Sequence, residues 1–263
     1  MHPGRALFVH LPKTAGTSLR KRLEHHFGEV GIYPHESDVA RVEYFSIEHL
    51  QARMRARGDE IRVVTGHFPL CTAEILGGGF TTLTILREPT ERALSFLRHH
   101  REWSPEDRDK SLEEVYSDPQ VFHGLVHNHM VKMFSLTPEE ATAGTLARAG
   151  MLTRVEFTQE RLTRAKERLE SVDALGLHGR LDDFCGELAG RFGWNLGPPR
   201  HLMQAEPTAK RQATGEVSDA FHDRIAEDNA MDIELYRFAQ RLYERRRAGQ
   251  RSSGSSISTP LRV

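Results

Sequence analysis

Residues 6–19 read ALFVHLPKTAGTSL. Ala6–His10 is a short apolar run, the pattern of a buried strand. The segment LPKTAGTS that follows is turn-like. Leu19, Leu23 and Phe27 then recur at four-residue spacing and mark one face of a helix, which Gly28 and Gly31 can end. The chain therefore opens strand, loop, helix. Backbone N–H groups at a helix start point outward unpaired and favour an anion. Gly16 permits close approach or an unusual backbone angle, Thr14, Thr17 and Ser18 add hydroxyls, and Lys13 adds positive charge. Together these residues have the makings of a phosphate cradle. Their order departs from the nucleotide-triphosphate loop GxxxxGK[ST], because the lysine precedes the glycine and no Mg²⁺-binding acidic strand is evident. The simpler alternative makes Thr17 or Ser18 a helix N-cap and Lys13 a solvated side chain.

Working outward, Ile61–Thr65 (IRVVT) predicts a second strand running into Gly66-His67-Phe68-Pro69. Thr82–Leu86 (TLTIL) predicts a third, rich in β-branched residues and followed by Arg87-Glu88-Pro89. Ala174–Leu177 predicts a short fourth. Helical stripes lie at Ser46–Arg57, after Pro89 (Ala93, Leu94, Leu97), over Phe157–Ser171, and from Leu181 to Phe192. Ser218 can cap a long final helix to about Arg246. Residues 103–150 predict short helices and loops, and Asn195–Gly215 an extended loop. Strands alternating with helices predict an α/β, P-loop-like three-layer fold with a central parallel sheet flanked by helices. Ligands bind such sheets beyond the carboxyl ends of the strands. Three predicted strands end in polar turns, His10–Ser18, Gly66–Phe68 and Arg87–Arg92, so all three are expected to meet at one site.

The whole chain sets the limits. It has 263 residues, with 36 Lys+Arg against 37 Asp+Glu for a net charge of −1, 38% hydrophobic and 28% charged. This is a globular composition, and wholesale disorder or a fibrous repeat is excluded. Residues 1–249 are expected to form one domain and 250–263 a disordered Ser-rich tail. Neutrality argues against non-specific nucleic-acid binding but not against a local basic pocket. No apolar run approaches the roughly 20 residues of a membrane span, and the start lacks a secretory signal, so a cytoplasmic protein is expected. Cys71 and Cys185 belong to no CxxC pair and read as reduced, buried thiols.

FVHLPKTAGTSL resembles the 5′-phosphosulfate-binding motif of sulfotransferases that use 3′-phosphoadenosine 5′-phosphosulfate (PAPS). The form PKTAGTS is similar to the branch holding the heparan and uronyl 2-O-sulfotransferases and many bacterial relatives. Arg87–Ser95, REPTERALS, fits RxPxxRxxS and resembles the 3′-phosphate-binding motif of the same family. The resemblance is strong over about residues 6–101 and weaker through the C-terminal half. It implies that Lys13, Thr14, Ala15, Gly16, Thr17 and Ser18 hold the 5′-phosphosulfate and that Arg87 and Ser95 hold the 3′-phosphate. Arg92 also matches, with a role that could be structural. Glu88 paired with Arg92 on a surface helix is the plain alternative for this segment.

Sulfuryl transfer needs a base to take the acceptor hydroxyl's proton, and histidine suits the task. His67 in VVTGHFP matches the Gly-His of the 2-O-sulfotransferase branch, which implies that it is the base; otherwise it is a packed turn histidine. Related enzymes also bring a loop over the nucleotide from the region matching Glu206–Glu216, where Lys210 and Arg211, with Thr208, could touch it; a solvated loop is the alternative. The implied donor is PAPS with no metal. The implied acceptor is a hydroxyl on a carbohydrate or glycolipid, with no nucleic acid and no membrane span. Two other classes stand beside this one: a P-loop-like, Mg²⁺-ATP-dependent phosphoryl transferase, and a non-catalytic nucleotide-binding module.

Of the fifteen histidines, all but His67 remain to be placed. His10 precedes the loop and could be structural. His99 and His100 suit the C-terminus of their helix. His123 and His127 are i,i+4, with His129 close by, but the segment lacks the glutamate of HExxH, so metal binding is a weak reading. VFHGLVHNHM is instead expected to line the acceptor cleft, with Asn128 in it.

Overall fold

A computed structural model describes residues 4–38, 46–143, 151–198 and 217–254. Five strands form one all-parallel sheet: β1 (Arg5–Val9), β2 (Ile32–Tyr33), β3 (Val63–Gly66), β4 (Phe80–Leu86) and β5 (Ala174–Leu177), in the order β2-β3-β1-β4-β5. The helices are α1 (Gly16–Phe27), α2 (Ile47–Arg57), α3 (Thr72–Ile75), α4 (Pro89–Trp103), α5 (Leu112–Ser117) and α6 (Pro119–Val121). A π-turn at Phe122–Val126 leads to α7 (His129–Ser135) and α8 (Pro138–Thr142), then α9 (Gln159–Ser171), α10 (Leu181–Phe192), α11 (Asp219–Asp228) and α12 (Ala230–Gly254). The expected three-layer α/β architecture is present.

Strand side chains alternate between two cores, as the two-residue period of a strand requires. Leu7, Val9, Val64, Leu86 and Leu175 face one side and pack with Ile47, Leu50, Met130, Phe134, Leu162, Leu169, Leu235 and Leu242 from α2, α7, α9 and α12. Ala6, Phe8, Val63, Leu83, Ile85 and Ala174 face the other and pack with Leu19, Leu23, Phe184 and Leu188 from α1 and α10. Each fully buried Leu or Phe of this kind is worth about 1.5–3 kcal/mol, so the two layers fix the sheet's register. Cys71 lies in the first core and Cys185 in the second, as free thiols on opposite sides of the sheet.

Two features were not anticipated. Strand β2 is only two residues long, between Gly31 and Pro34, too short for any periodicity. The final helix is two helices. Ser218 does cap the first, accepting from the Phe221 N–H, but the chain breaks at Asn229. The Asn229 amide donates back to the Ile225 carbonyl, and its oxygen accepts the Asn128 N–H at 2.8 Å. The second helix runs on to Gly254, into the stretch expected to be a tail. Among the described residues no helix is long and apolar enough to cross a membrane.

Candidate active site

The sheet order places β3, β1 and β4 side by side. Val9 pairs with Gly66 on one flank and with Thr84 on the other. The three polar turns therefore leave the same edge of the sheet from adjacent strands. The chain leaves β1 toward β2 and leaves β4 toward β5, so the connections diverge between β1 and β4. That divergence opens the crevice in which open α/β sheets bind ligands.

The loop after β1 has an uncommon backbone. Lys13 and Ala15 both take positive φ, 68° and 72°, although neither is glycine. Such residues cost energy and turn successive N–H groups to one side, the geometry of an anion-binding nest. Ala15 occupies the N-cap of α1 and supplies no side-chain cap. The simpler reading, with Thr17 or Ser18 as N-cap, is thereby set aside: the N-cap residue of α1 has no polar side-chain group to offer the first turn. Helix α4 differs: its N-cap Glu88 accepts the Glu91 N–H at 2.7 Å.

The individual cradle residues sort by burial. Thr14 is fully buried and its hydroxyl donates to the Leu11 carbonyl at 2.9 Å. That hydroxyl proton is spent inside the turn, contrary to the expectation of an outward donor. Thr17 is exposed and Ser18 is nearly buried. Lys13 is half-buried, and burial pulls its pKa down, aided by Arg87 and opposed by Glu102. Gly16 has an ordinary φ, so the reason for glycine is space. A Cβ there would stand 1.8 Å from Nε2 of His10.

Arg87 leaves β4 and reaches across to the loop, donating from Nη1 to the Lys13 carbonyl at 3.3 Å; Nη2 faces Glu91 at 3.4 Å. Ser95 lies half-buried two turns into α4. Arg92 points inward. It is fully buried and donates to the carbonyls of Leu125 and Val126, so the expected alternative of a Glu88–Arg92 surface pair gives way to an Arg87–Glu91 pair.

His67 is half-buried at the end of β3. Its Nδ1 lies 2.8 Å from the His10 carbonyl, which can only accept, so Nδ1 carries the proton and Nε2 the lone pair. Burial lowers its pKa, and the bond to His10 opposes that shift. The His10 ring lies 4.8 Å from the His67 ring and stacks on Phe8 at 5.2 Å. The structure thus joins Lys13, Gly16, His10, His67 and Arg87 in one connected set. The sequence marks His10 only as a residue before the loop that could be structural; its contact with His67 arises from strand adjacency rather than spacing along the chain. Lys210, Arg211 and Thr208 lie outside the described residues.

The expected acceptor lining takes a different form. Asn128 is buried in a left-handed conformation at the start of α7, donating to the Asp228 carbonyl and accepting the Asp232 N–H. It joins α7 to the α11–α12 junction, and both ends of its side-chain amide are taken up by these bonds. Fully buried Asp232 accepts the N–H groups of Met130 and Val131, and Lys132 Nζ donates to the carbonyls of His123, Gly124 and Met151. His127 packs on Phe122 and Phe157, and His129 Nδ1 faces the Gly124 carbonyl. Among the described residues no group of three His, Cys, Asp or Glu side chains is arranged to hold a metal ion.

No protein-family model matches the chain, and no curated protein sequence gives a significant match.

Proposed function

We propose that the protein is a sulfotransferase that moves a sulfuryl group from PAPS to a hydroxyl acceptor, of the carbohydrate or glycolipid kind. The observation that carries this reading is the start of α1 beside Lys13, with Ala15 at its N-cap, flanked by Arg87 from one neighbouring strand and His67 from the other. The resemblance of FVHLPKTAGTSL and REPTERALS to the two PAPS-binding motifs supports it.

In this reading the first-turn N–H groups of α1, with Lys13, Thr17 and Ser18, bind the 5′-phosphosulfate. Arg87 and Ser95 bind the 3′-phosphate, the group that distinguishes PAPS from ATP. The acceptor oxygen attacks sulfur in line while Nε2 of His67 takes its proton. The bond from sulfur to the phosphate oxygen breaks, and Lys13 with the helix terminus stabilises the negative charge growing on that oxygen. The product PAP leaves with its 3′-phosphate intact.

Calorimetry with PAP and with ATP, with and without Mg²⁺, tests the donor assignment. Tight metal-independent PAP binding is expected. Selective Mg²⁺-ATP binding would replace it with phosphoryl transfer, and PAP binding with no turnover across a hydroxyl acceptor panel would leave a binding module. Labelled PAPS with that panel identifies the acceptor.

A further inference from the structure

His10 stands between the two halves of the candidate site and belongs to neither. Its main-chain carbonyl receives the Nδ1–H of His67 at 2.8 Å. Its ring lies 4.8 Å from the His67 ring, with 40° between the planes. The opposite neighbour is the cradle: Nε2, Cδ2 and Cε1 of His10 lie 1.8, 1.9 and 2.6 Å from where a Gly16 Cβ would be. Gly16 is the first residue of α1, and its φ is not in the left-handed region, so the glycine is required by this ring. Phe8 stacks on the ring at 10° between planes and keeps it from turning.

We propose that His10 is a positioning residue that locks the base to the anion cradle: its carbonyl selects the His67 tautomer, and its ring, wedged against Gly16, sets how far that base stands from the first turn of α1. The roles of base and cradle rest on the sulfotransferase reading; the wedge itself does not. A neutral ring suits this place. Burial holds His10 well below the ordinary histidine pKa, and His67 and Arg20 push the same way. His129, from α7, is the further titratable neighbour of His67.

Long-range ¹H–¹⁵N correlation of the histidine side chains in the full chain, over a pH series, reads the wedge directly. Wild type is expected to show His67 with its proton on Nδ1. In His10→Ala the carbonyl stays, so the Nδ1–H tautomer is expected to persist, while loss of the ring lets water reach His67, which is expected to titrate closer to the ordinary value of 6.5. Transfer kcat should fall by roughly tenfold to 10²-fold, the scale of a misplaced catalytic group, with a smaller change in PAP affinity. Gly16→Ala pushes the ring from the other side and should perturb the same His67 signals; it is the reading to use if His10→Ala does not fold. His10→Ala/Gly16→Ala removes the clash, so it should bind PAP more tightly than Gly16→Ala alone while kcat stays low. A wild-type His67 protonated on Nε2 alone, or an unchanged His67 titration in the folded variants with kcat intact, overturns the proposal. A wild-type protein that neither binds PAP nor transfers sulfate overturns the sulfotransferase reading instead, and the His67 signals still decide the role of His10.

Discussion

The guanidinium of Arg87 donates to the main-chain carbonyl of Lys13 at 3.3 Å, joining the end of β4 to the loop after β1. These two residues are 74 apart in sequence, and each was singled out for its own local motif. The bond gives Arg87 two tasks, bracing the loop backbone and offering charge to an anion. Charge-assisted hydrogen bonds contribute about 1.5–3 kcal/mol each. Arg87→Ala is therefore expected to weaken PAP binding by about 10- to 10²-fold in calorimetry. Arg87→Lys keeps the charge but not the planar fork, and is expected to recover only part of the loss.

The base assignment predicts a pH profile. A base works unprotonated, so kcat/KM should rise with pH and level off above the pKa of His67 in the free enzyme. Burial lowers that pKa, so the limb should fall below the ordinary 6.5. His67→Ala should abolish transfer while PAP binding is largely kept. A limb centred above 6.5, or one that persists in His67→Ala, would assign it to another group.

Thr14 tests whether its hydroxyl serves the turn or the ligand. It is fully buried and bonded to the Leu11 carbonyl. Thr14→Val keeps the shape and removes that bond, and should lower stability by about 1 kcal/mol in urea denaturation. Thr14→Ser keeps the bond and should retain PAP affinity. A large affinity loss in Thr14→Val at unchanged stability would mean that the hydroxyl turns to the phosphate.

Asp232 tests the buried polar layer behind the site. It accepts two N–H groups at the start of α7, and Arg92 and Lys132 supply its positive surroundings. Asp232→Ala leaves those cations without their counter-charge, and a loss of about 3–5 kcal/mol is expected by denaturant titration. Burial raises the Asp232 pKa from 3.8 to about 6 despite these partners. The folded state therefore holds this proton more tightly than the unfolded chain does. Its contribution to stability falls as pH rises from 3.8 to about 6, and Asp232→Asn should remove that slope.

The sheet was legible because its strands are apolar runs closed by polar turns, and the motifs sit where those turns are. Apolar and β-branched runs revealed β1, β3, β4 and β5, but a two-residue β2 is too short to form one. Two motifs predicted Arg87 and Lys13 separately, whereas their contact depends on β1 and β4 being neighbours. Asn128 and His10 were harder still. Each contacts residues that are remote along the chain or brought near only by the fold, Asn128 the α11–α12 junction and His10 the end of β3 and the start of α1, so spacing within a motif gave no signal. The break at Asn229 was hidden for a related reason: an apolar stripe continues across it, and only a buried amide from α7 interrupts the helix.

The central position of β1 bears on how the chain is made. During synthesis Arg5–Val9 emerges first, and neither of its partners exists until Val63–Gly66 and then Phe80–Leu86 have followed. For that interval its apolar residues have no strand to pair with, and such segments expose a newly made chain to aggregation. The same two pairings bring Lys13, His67 and Arg87 together. Closing the sheet around its oldest strand and assembling the site are thus one event in the life of the chain.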